Sequence, residues 1–379
     1  MACCRTLIEA IDNEHFDCIK NVSHTKFPKT FFSFVYENIH DTSLVLAAQL
    51  GKTQLVTKLI PMCTNSIIHV ALIVAAEQGK CKVVKQLLFA IEYPLGNYQE
   101  SPLSAAIENN HVECVKILLK NGTNVNYETV YGWRPIHWAA KTGNSYYISL
   151  LFQHGACINA EDINGRTPLH LAVKFNHVEC VRLLLNMTQN EKTLLPIGEL
   201  LRVAIKHTSH NCLSLLLGLN PDLQILVDAI ADALGTDWTF IKPLLTKVAE
   251  WGPIKNIFGL YTTNGSTILH EASKSNNTLY LDLFVSMGAD VNVRDKNGYT
   301  PLYAASTKNK ICSVLTLLGY GNTAYTELGC FKSNPRVKLA IAKLPISQVL
   351  GDLLSALLEV NLDDHLPNCQ WYILCTFFH

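Results

Sequence analysis

Charge of one sign, long apolar runs and paired cysteines are all missing from this 379-residue sequence. Its 31 basic and 31 acidic residues cancel, so no overall field favours nucleic acid or an anionic membrane. No apolar run approaches the roughly 20 residues that span a bilayer, and the first residues lack the apolar segment of a signal peptide. We therefore expect an intracellular protein of the cytoplasm, with the nucleus as a second compartment, no membrane insertion and no nucleic-acid partner.

Catalytic and cofactor-binding motifs are missing as well. There is no phosphate-binding glycine loop, no dinucleotide-binding glycine motif and no Gly-x-Ser-x-Gly elbow. The 13 cysteines never occur as Cys-x-x-Cys pairs, which is the usual spacing of zinc ligands. These absences predict a chain that is not an enzyme and holds no cofactor and no metal. We expect Cys114 and Cys180 to be reduced thiols buried among apolar neighbours.

What the sequence does contain is a repeat. The string His-Val-Glu-Cys-Val-Lys-Ile-Leu-Leu at 111–119 returns at 177–185 with two conservative changes, 66 residues later and thus at twice a period of 33. A second motif, Thr-Pro-Leu-His-Leu-Ala at 167–172, has related copies that start at 101, 134, 267 and 300. Periods of this length indicate stacked supersecondary units rather than one globular core.

Each piece of the period has a physical reason. Threonine or serine caps the first helix, proline suits its first turn, and glycine ends the second helix. The Asn-Gly pairs at 164–165 and 297–298 indicate tight turns. Together these motifs resemble the ankyrin repeat, in which a hairpin finger precedes two antiparallel helices.

The resemblance implies an all-α solenoid of stacked helix-turn-helix units with β-hairpin fingers. We count about nine or ten units over 1–325, with degenerate motifs at 1–96 and 198–263, followed by a helical tail at 326–379. The degenerate region in mid-stack has two interpretations: a continuous but distorted stack, which we favour, or an insertion that divides two sub-stacks.

Three histidines recur in the fourth position of the first-helix motif: His137, His170 and His270. In ankyrin repeats the imidazole at this position commonly links one repeat to the next through hydrogen bonds. Because the three side chains are spread along the stack, they cannot converge on one metal ion. We therefore interpret them as structural.

The tail at 326–379 supports two interpretations. It is either a helical cap on the last repeat or a degenerate suppressor-of-cytokine-signalling (SOCS) box, as in the ankyrin-repeat-and-SOCS-box family. The second interpretation implies that 333–379 recruits elongin B and C and a cullin. Such a box normally carries a cysteine four residues after its first leucine, whereas Lys343 stands four residues after Leu339 here.

The resemblance also predicts where partners dock, because ankyrin proteins usually bind them in a concave groove of fingers and first helices. Aromatic and arginine side chains are enriched at such surfaces. In the repeat register, the candidate partner-binding residues are Tyr98, Val130, Tyr131, Trp133, Trp138, Lys141, Ile163, Asn164, Arg166, Lys174 and Phe175.

Several of these residues also have a purely structural interpretation. Trp138 could fill the first-helix core position that Leu171 occupies in the next repeat, and Trp133 could also be a packing residue. Arg166 and Lys174 could belong to an ordinary solvated face.

The function that follows is a non-catalytic scaffold or adaptor that binds a partner protein through the groove. One alternative is a substrate-recognition subunit of a cullin-type ubiquitin ligase. Another is an inhibitor that masks the active surface of its partner.

Overall fold

Helices make up nearly all of the regular structure. The computed structural model describes residues 7–14, 16, 39–91, 101–189, 196–275, 277–308 and 310–320. Within them the only extended pairing outside helices is an isolated bridge between Tyr261 and Thr267. Two short 3-10 helices occur, at Ile60–Met62 and Ile254–Ile257.

Nineteen α-helices lie within the described ranges, and we number them in chain order. They are α1 (Leu7–Asp12), α2 (Ile39–Leu50), α3 (Thr53–Leu59), α4 (Asn65–Glu77), α5 (Cys81–Ala90), α6 (Pro102–Glu108), α7 (Val112–Lys120), α8 (Pro135–Thr142), α9 (Ser145–Gln153), α10 (Pro168–Lys174), α11 (Val178–Gln189), α12 (Ile197–Lys206), α13 (His210–Leu217), α14 (Leu223–Ala233), α15 (Trp238–Trp251), α16 (Ile268–Lys274), α17 (Thr278–Ser286), α18 (Pro301–Thr307) and α19 (Ile311–Gly319).

The chain forms two compact units, Met1–Leu195 and Pro196–His379. In the first unit, five helix pairs run from α2/α3 to α10/α11, and each first helix contacts the first helix of the next pair. The second unit contains four pairs, from α12/α13 to α18/α19, in which first helices again pack on first helices. The predicted all-α stack of helix pairs is therefore confirmed within each unit.

The pair α10/α11 shows why this sequence forms such a unit. Pro168 opens α10, where its missing N–H costs no hydrogen bond, and the hydroxyl of Thr167 accepts a hydrogen bond from the backbone N–H of His170. Asn176 ends the helix pair's turn with a left-handed φ of 59°. Buried Leu171 and Cys180 then face the core from the two helices.

The fingers are tighter than the predicted β-hairpins. Thr129 donates its backbone N–H to the carbonyl of Trp133 at 2.9 Å, and Asp162 donates to the carbonyl of Arg166 at 3.0 Å. Each of these fingers is thus a five-residue turn closed by one backbone bond. The next finger then adds a bond between units, because the N–H of Ile163 donates to a carbonyl of the preceding finger at 3.3 Å.

Other expectations from the sequence meet the structure unevenly. Cys114 and Cys180 are fully buried free thiols, as predicted. Among the described residues no helix is both long and apolar enough to cross a membrane. Tyr98 and the tail at 326–379 lie outside the described residues, so the choice between a cap and a SOCS-like box stays a prediction.

Candidate functional site

The fingers and first helices of the first unit carry nearly all of the candidate residues. Equivalent positions are 33 residues apart, so Thr129 corresponds to Asp162 and Gly132 to Gly165. Both glycines have positive φ, at 74° and 70°, which a side chain would strain. A Cβ on Gly132 would also lie 2.7 Å from the backbone nitrogen of Ile163, so only glycine allows the two fingers to approach this closely.

The histidine at the fourth position of each first-helix motif holds successive units together. His137 accepts the backbone N–H of Arg134 on Nδ1 at 3.1 Å, which leaves Nε2 to donate to the carbonyl of Arg166 at 3.2 Å. His270 repeats this arrangement in the second unit, with Nε2 at 2.9 Å from the carbonyl of Tyr299. Burial lowers the pKa of both imidazoles and keeps them neutral. The structural interpretation of these two histidines is confirmed.

Asp162 organises the second finger. Its fully buried carboxylate accepts the backbone N–H groups of Asn164 at 2.8 Å and Arg166 at 2.9 Å on Oδ1. The guanidinium of Arg166 binds Oδ2 at 2.7 and 2.8 Å. Burial alone would raise the pKa of this carboxyl, but the hydrogen bonds from Arg166 and Asn164 outweigh it and lower the pKa to about 2. Arg166 is thus engaged in the finger and not simply part of a solvated face.

Two tryptophans meet in front of α8. The rings of Trp133 and Trp138 have centroids 4.7 Å apart and cross at 62° in an edge-to-face arrangement. The indole N–H of Trp133 donates to Oδ2 of Asp162 at 3.2 Å, across the boundary between two units. Trp138 remains half-buried, whereas Leu171 at the equivalent position is fully buried. Trp138 therefore occupies a first-helix position without filling the core as Leu171 does.

A lysine completes this corner. The ammonium of Lys141 lies 4.2 Å from the ring centroid of Trp138 and 5.8 Å from that of Trp133. It also forms an ion pair with Glu108 of the preceding unit, at 3.0 Å. We name Trp133, Trp138, Lys141 and Glu108 together the tryptophan corner.

The tips of the two fingers are apolar and exposed. The residues Val130, Tyr131 and Ile163 have exposed fractions of 64%, 66% and 67%, although all three are residues that favour burial. The bond from the N–H of Ile163 to the carbonyl of Tyr131 places them side by side. We name these three residues the fingertip patch.

The remaining candidates lie apart from this patch. Asn164 is exposed beside Ile163, and its side chain has no role in closing the finger turn. Phe175 is exposed at the end of α10, and the ammonium of Lys174 lies 5.4 Å from its ring centroid. The seven residues of α10 separate this pair from the fingers by about 10 Å.

A profile of the ankyrin-repeat family, described as "Ankyrin repeats (3 copies)", matches well over half of the chain in overlapping segments at 44–129, 72–162, 105–195, 159–226 and 201–326. The chain belongs to the ankyrin-repeat family. Repeats of this family form protein-interaction domains, which agrees with the fingers and first helices described above.

Relatives of this ankyrin-repeat chain come from a mammal and from poxviruses. The human ankyrin repeat and SOCS box protein 3 is 34% identical over 223 residues, which is 56% of this chain and 35% of the relative. An ankyrin repeat domain-containing protein of monkeypox virus is 28% identical over 82 residues, or 22% of this chain and 12% of the relative. Ankyrin repeat protein 14 of vaccinia virus is 29% identical over 80 residues, or 21% and 34%. The chain thus spans about a third or less of the length of these relatives.

Two acidic residues of the ankyrin-repeat site were missed by the sequence reasoning. Asp162 belongs to an Asp-x-Asn-Gly string that recurs at 295–298, where Asp295 accepts the backbone N–H groups of Asn297 and Tyr299. Repetition of the string at equivalent positions could have predicted the role of the carboxylate. Glu108 could have been found from the register, because it lies 33 residues before Lys141.

Other chemistry is sparse in the described ankyrin repeats. Nowhere in the described ranges do three His, Cys, Asp or Glu side chains gather to hold a metal ion. An open cleft of about 540 Å³ lies between the turns of two neighbouring helix pairs, and Glu108 is at its edge. Its lining is polar: Glu108, Asn110, Thr142, Gly143, Asn144 and Ser145.

Proposed function

We propose that this ankyrin-repeat chain is a non-catalytic scaffold of the cell interior that binds a partner protein through the fingers and first helices of its first unit. The observation that carries the proposal is the fingertip patch. Three large apolar side chains, about two thirds exposed, project from fingers that are held by backbone hydrogen bonds. Exposed apolar groups on a rigid frame bind a partner at little cost in conformational entropy.

The equivalent fingers of the second unit supply a matched comparison. Thr263 and Asn264 stand where the first unit has Val130 and Tyr131, and Lys296 stands in the position of Ile163. These polar residues show that the finger does not need apolar tips to fold. Val130, Tyr131 and Ile163 therefore remain available for a partner.

The test exchanges the patch for its polar counterparts. The triple variant V130T/Y131N/I163K should keep the melting temperature of the native chain, and it should lose proteins that the native chain retains from cell extract. Phe152 is an exposed aromatic residue on the second helix of its pair, so Phe152→Ser is the matched control and should retain the same proteins.

A retained protein is then purified and its Kd measured against all three forms of the chain. We expect the triple variant to weaken binding at least about tenfold, since three apolar contacts are removed. Equal affinity for the native chain and the triple variant would exclude the fingertip patch as the binding surface.

A second proposal is a substrate-recognition subunit of a cullin-type ubiquitin ligase. It is supported by the 34% identity to a human protein named for its SOCS box. In this proposal 333–379 binds elongin B and C, and the fingertip patch holds the substrate. Purified elongin B/C should then bind the full chain at micromolar concentration and should not bind a chain that ends at residue 325. Absence of binding to the full chain would leave only the scaffold and inhibitor functions.

The inhibitor alternative uses the same surface and differs in its effect on the partner. If the scaffold masks an active surface, then saturating amounts of the native chain reduce the partner's activity and the triple variant does not. A partner that keeps full activity in the complex would favour the adaptor.

A further inference from the structure

The tryptophan corner has the parts of a receptor for a cation. Two aromatic rings cross at 62°, and an ammonium group lies 4.2 Å from the centroid of one of them. A carboxylate, that of Glu108, is within 3.0 Å of the same ammonium. The faces of aromatic rings attract cations electrostatically, and paired rings with a carboxylate strengthen this attraction. At present the cation is the chain's own Lys141.

The corner is preorganised. The indole of Trp133 is held by its N–H bond to Asp162, and its backbone N–H donates to the hydroxyl of Thr129 at 3.1 Å. Trp138 is anchored in α8. Lys141 is the movable part, because its side chain is about one third exposed and ends a flexible four-carbon stem. An incoming cation can therefore displace Lys141 without rearranging the rings.

The fold itself does not require these tryptophans. In the next unit Arg166 stands in the position of Trp133, and Leu171 stands in that of Trp138. The lysine of the corner recurs there as Lys174. The two units therefore share a backbone and a lysine but differ in the aromatic pair, so the pair is a feature of one site.

We propose that the tryptophan corner binds a lysine or methylated lysine side chain of the partner protein, and that Lys141 occupies the corner until the partner displaces it. The proposal rests on the proposed function, because it names the chemistry of the partner at the same face. Methylation keeps the positive charge and removes N–H donors, so a trimethylated ammonium loses less hydration on entering the corner. Trimethyllysine should therefore bind more tightly than lysine.

The probes are three N-acetylated amino acid amides: trimethyllysine, lysine and the neutral isostere norleucine. The full chain is labelled with 5-fluorotryptophan, which gives one ¹⁹F resonance for each of its five tryptophans. Trp133→Tyr and Trp138→Leu assign the two resonances of the corner, and both substitutions place residues that occur at equivalent positions in this chain, at Tyr299 and Leu171. Titrations are run at constant ionic strength.

We expect the resonances of Trp133 and Trp138 to shift saturably with trimethyllysine, to shift less with lysine and to stay unchanged with norleucine. The other three tryptophans should not respond. Lys141→Met removes the internal cation and should lower the Kd for trimethyllysine about tenfold. Glu108→Gln should raise that Kd. Lys174→Met, at the equivalent position of the next unit, is the matched control and should change nothing.

Two results would overturn the inference. Equal shifts with norleucine would identify the corner as an apolar pocket without preference for charge. An unchanged Kd in Lys141→Met would show that Lys141 does not compete for the site. In either case the proposed function stands if V130T/Y131N/I163K still loses the partner, and it fails separately if that variant binds normally.

Discussion

The indole N–H of Trp133 donates to the carboxylate of Asp162, which lies 29 residues later in the finger of the next unit, at 3.2 Å. Through this bond, one buried carboxylate orients a side chain of the tryptophan corner. The same carboxylate closes the finger that carries Ile163. Asp162 therefore supports both candidate surfaces of the first unit without being exposed on either.

The first prediction concerns Asp162→Ala. It removes the acceptor of two backbone amides, a guanidinium and an indole, so we expect the first unit to lose about 3 kcal/mol of unfolding free energy. Asp295→Ala is the matched control, because Asp295 accepts only the two loop amides of its finger among its printed bonds and should cost about 1 kcal/mol. Urea unfolding with hydrogen exchange read separately in each unit measures both costs, and equal losses would contradict the central role of Asp162.

The second prediction contrasts two buried serines of one motif. The hydroxyl of Ser101 accepts the backbone N–H groups of Leu103 and Ser104 as the cap of α6. The hydroxyl of Ser104 is buried and has no hydrogen-bond partner within the described part of the chain. Ser101→Ala should therefore destabilise the first unit by about 1 kcal/mol, and Ser104→Ala should stabilise it by about 1 kcal/mol.

Thermal unfolding of the two serine variants measures the contrast directly. Alanine is common to both substitutions and is compatible with a helix, so a difference in melting temperature reports the hydroxyl groups alone. A loss of stability in Ser104→Ala would show that its hydroxyl has a partner, such as a bound water.

Much of the fold follows from local signals that the period of 33 then multiplies. The threonine and histidine of the motif at 167–172 interact within four residues, and the backbone φ of Gly143 follows from its residue type. Such signals do not depend on distant parts of the chain. For this reason a helix pair recognised once predicts the position of every copy, including the pair α14/α15, which has almost no motif.

The candidate site was predicted less completely because its geometry depends on contacts between units. The register places Lys141 next to Glu108, but it does not indicate that the lysine turns onto two tryptophan rings. That choice depends on the side-chain torsions of Trp133 and Trp138, and hence on the carboxylate of the following finger. Sequence spacing alone carries no information on those torsions.

The third prediction is a loss of stability in weak acid. Burial lowers the pKa of His69 to about 4 and also lowers the pKa of His137 and His270. In the unfolded chain these imidazoles titrate near pH 6.5, so there the unfolded state binds more protons than the folded state. Their contribution is therefore complete above about pH 6.5 and is lost as the pH falls toward their folded pKa values.

Melting temperatures between pH 7.5 and 4.5 measure this loss. Asp162 does not contribute to it, because a carboxyl with a folded pKa of about 2 stays ionised throughout that range. Replacing the buried His137 by asparagine should flatten the pH dependence, whereas His154→Gln, at an exposed position, should leave it unchanged. A constant melting temperature across the range would contradict the assignment of these histidines as buried and neutral.

The fourth prediction concerns thiol reactivity. Cys157 is exposed, whereas Cys114, Cys180 and Cys212 are fully buried. Burial also raises the pKa of Cys212 to about 11, so the reactive thiolate is scarce as well as inaccessible. Iodoacetamide at pH 8 should label Cys157 at least about tenfold faster than the three buried thiols, as followed by mass spectrometry of the peptides. In urea the rates should converge, because unfolding removes the protection, and comparable rates in the native chain would mean that these helices do not pack as described.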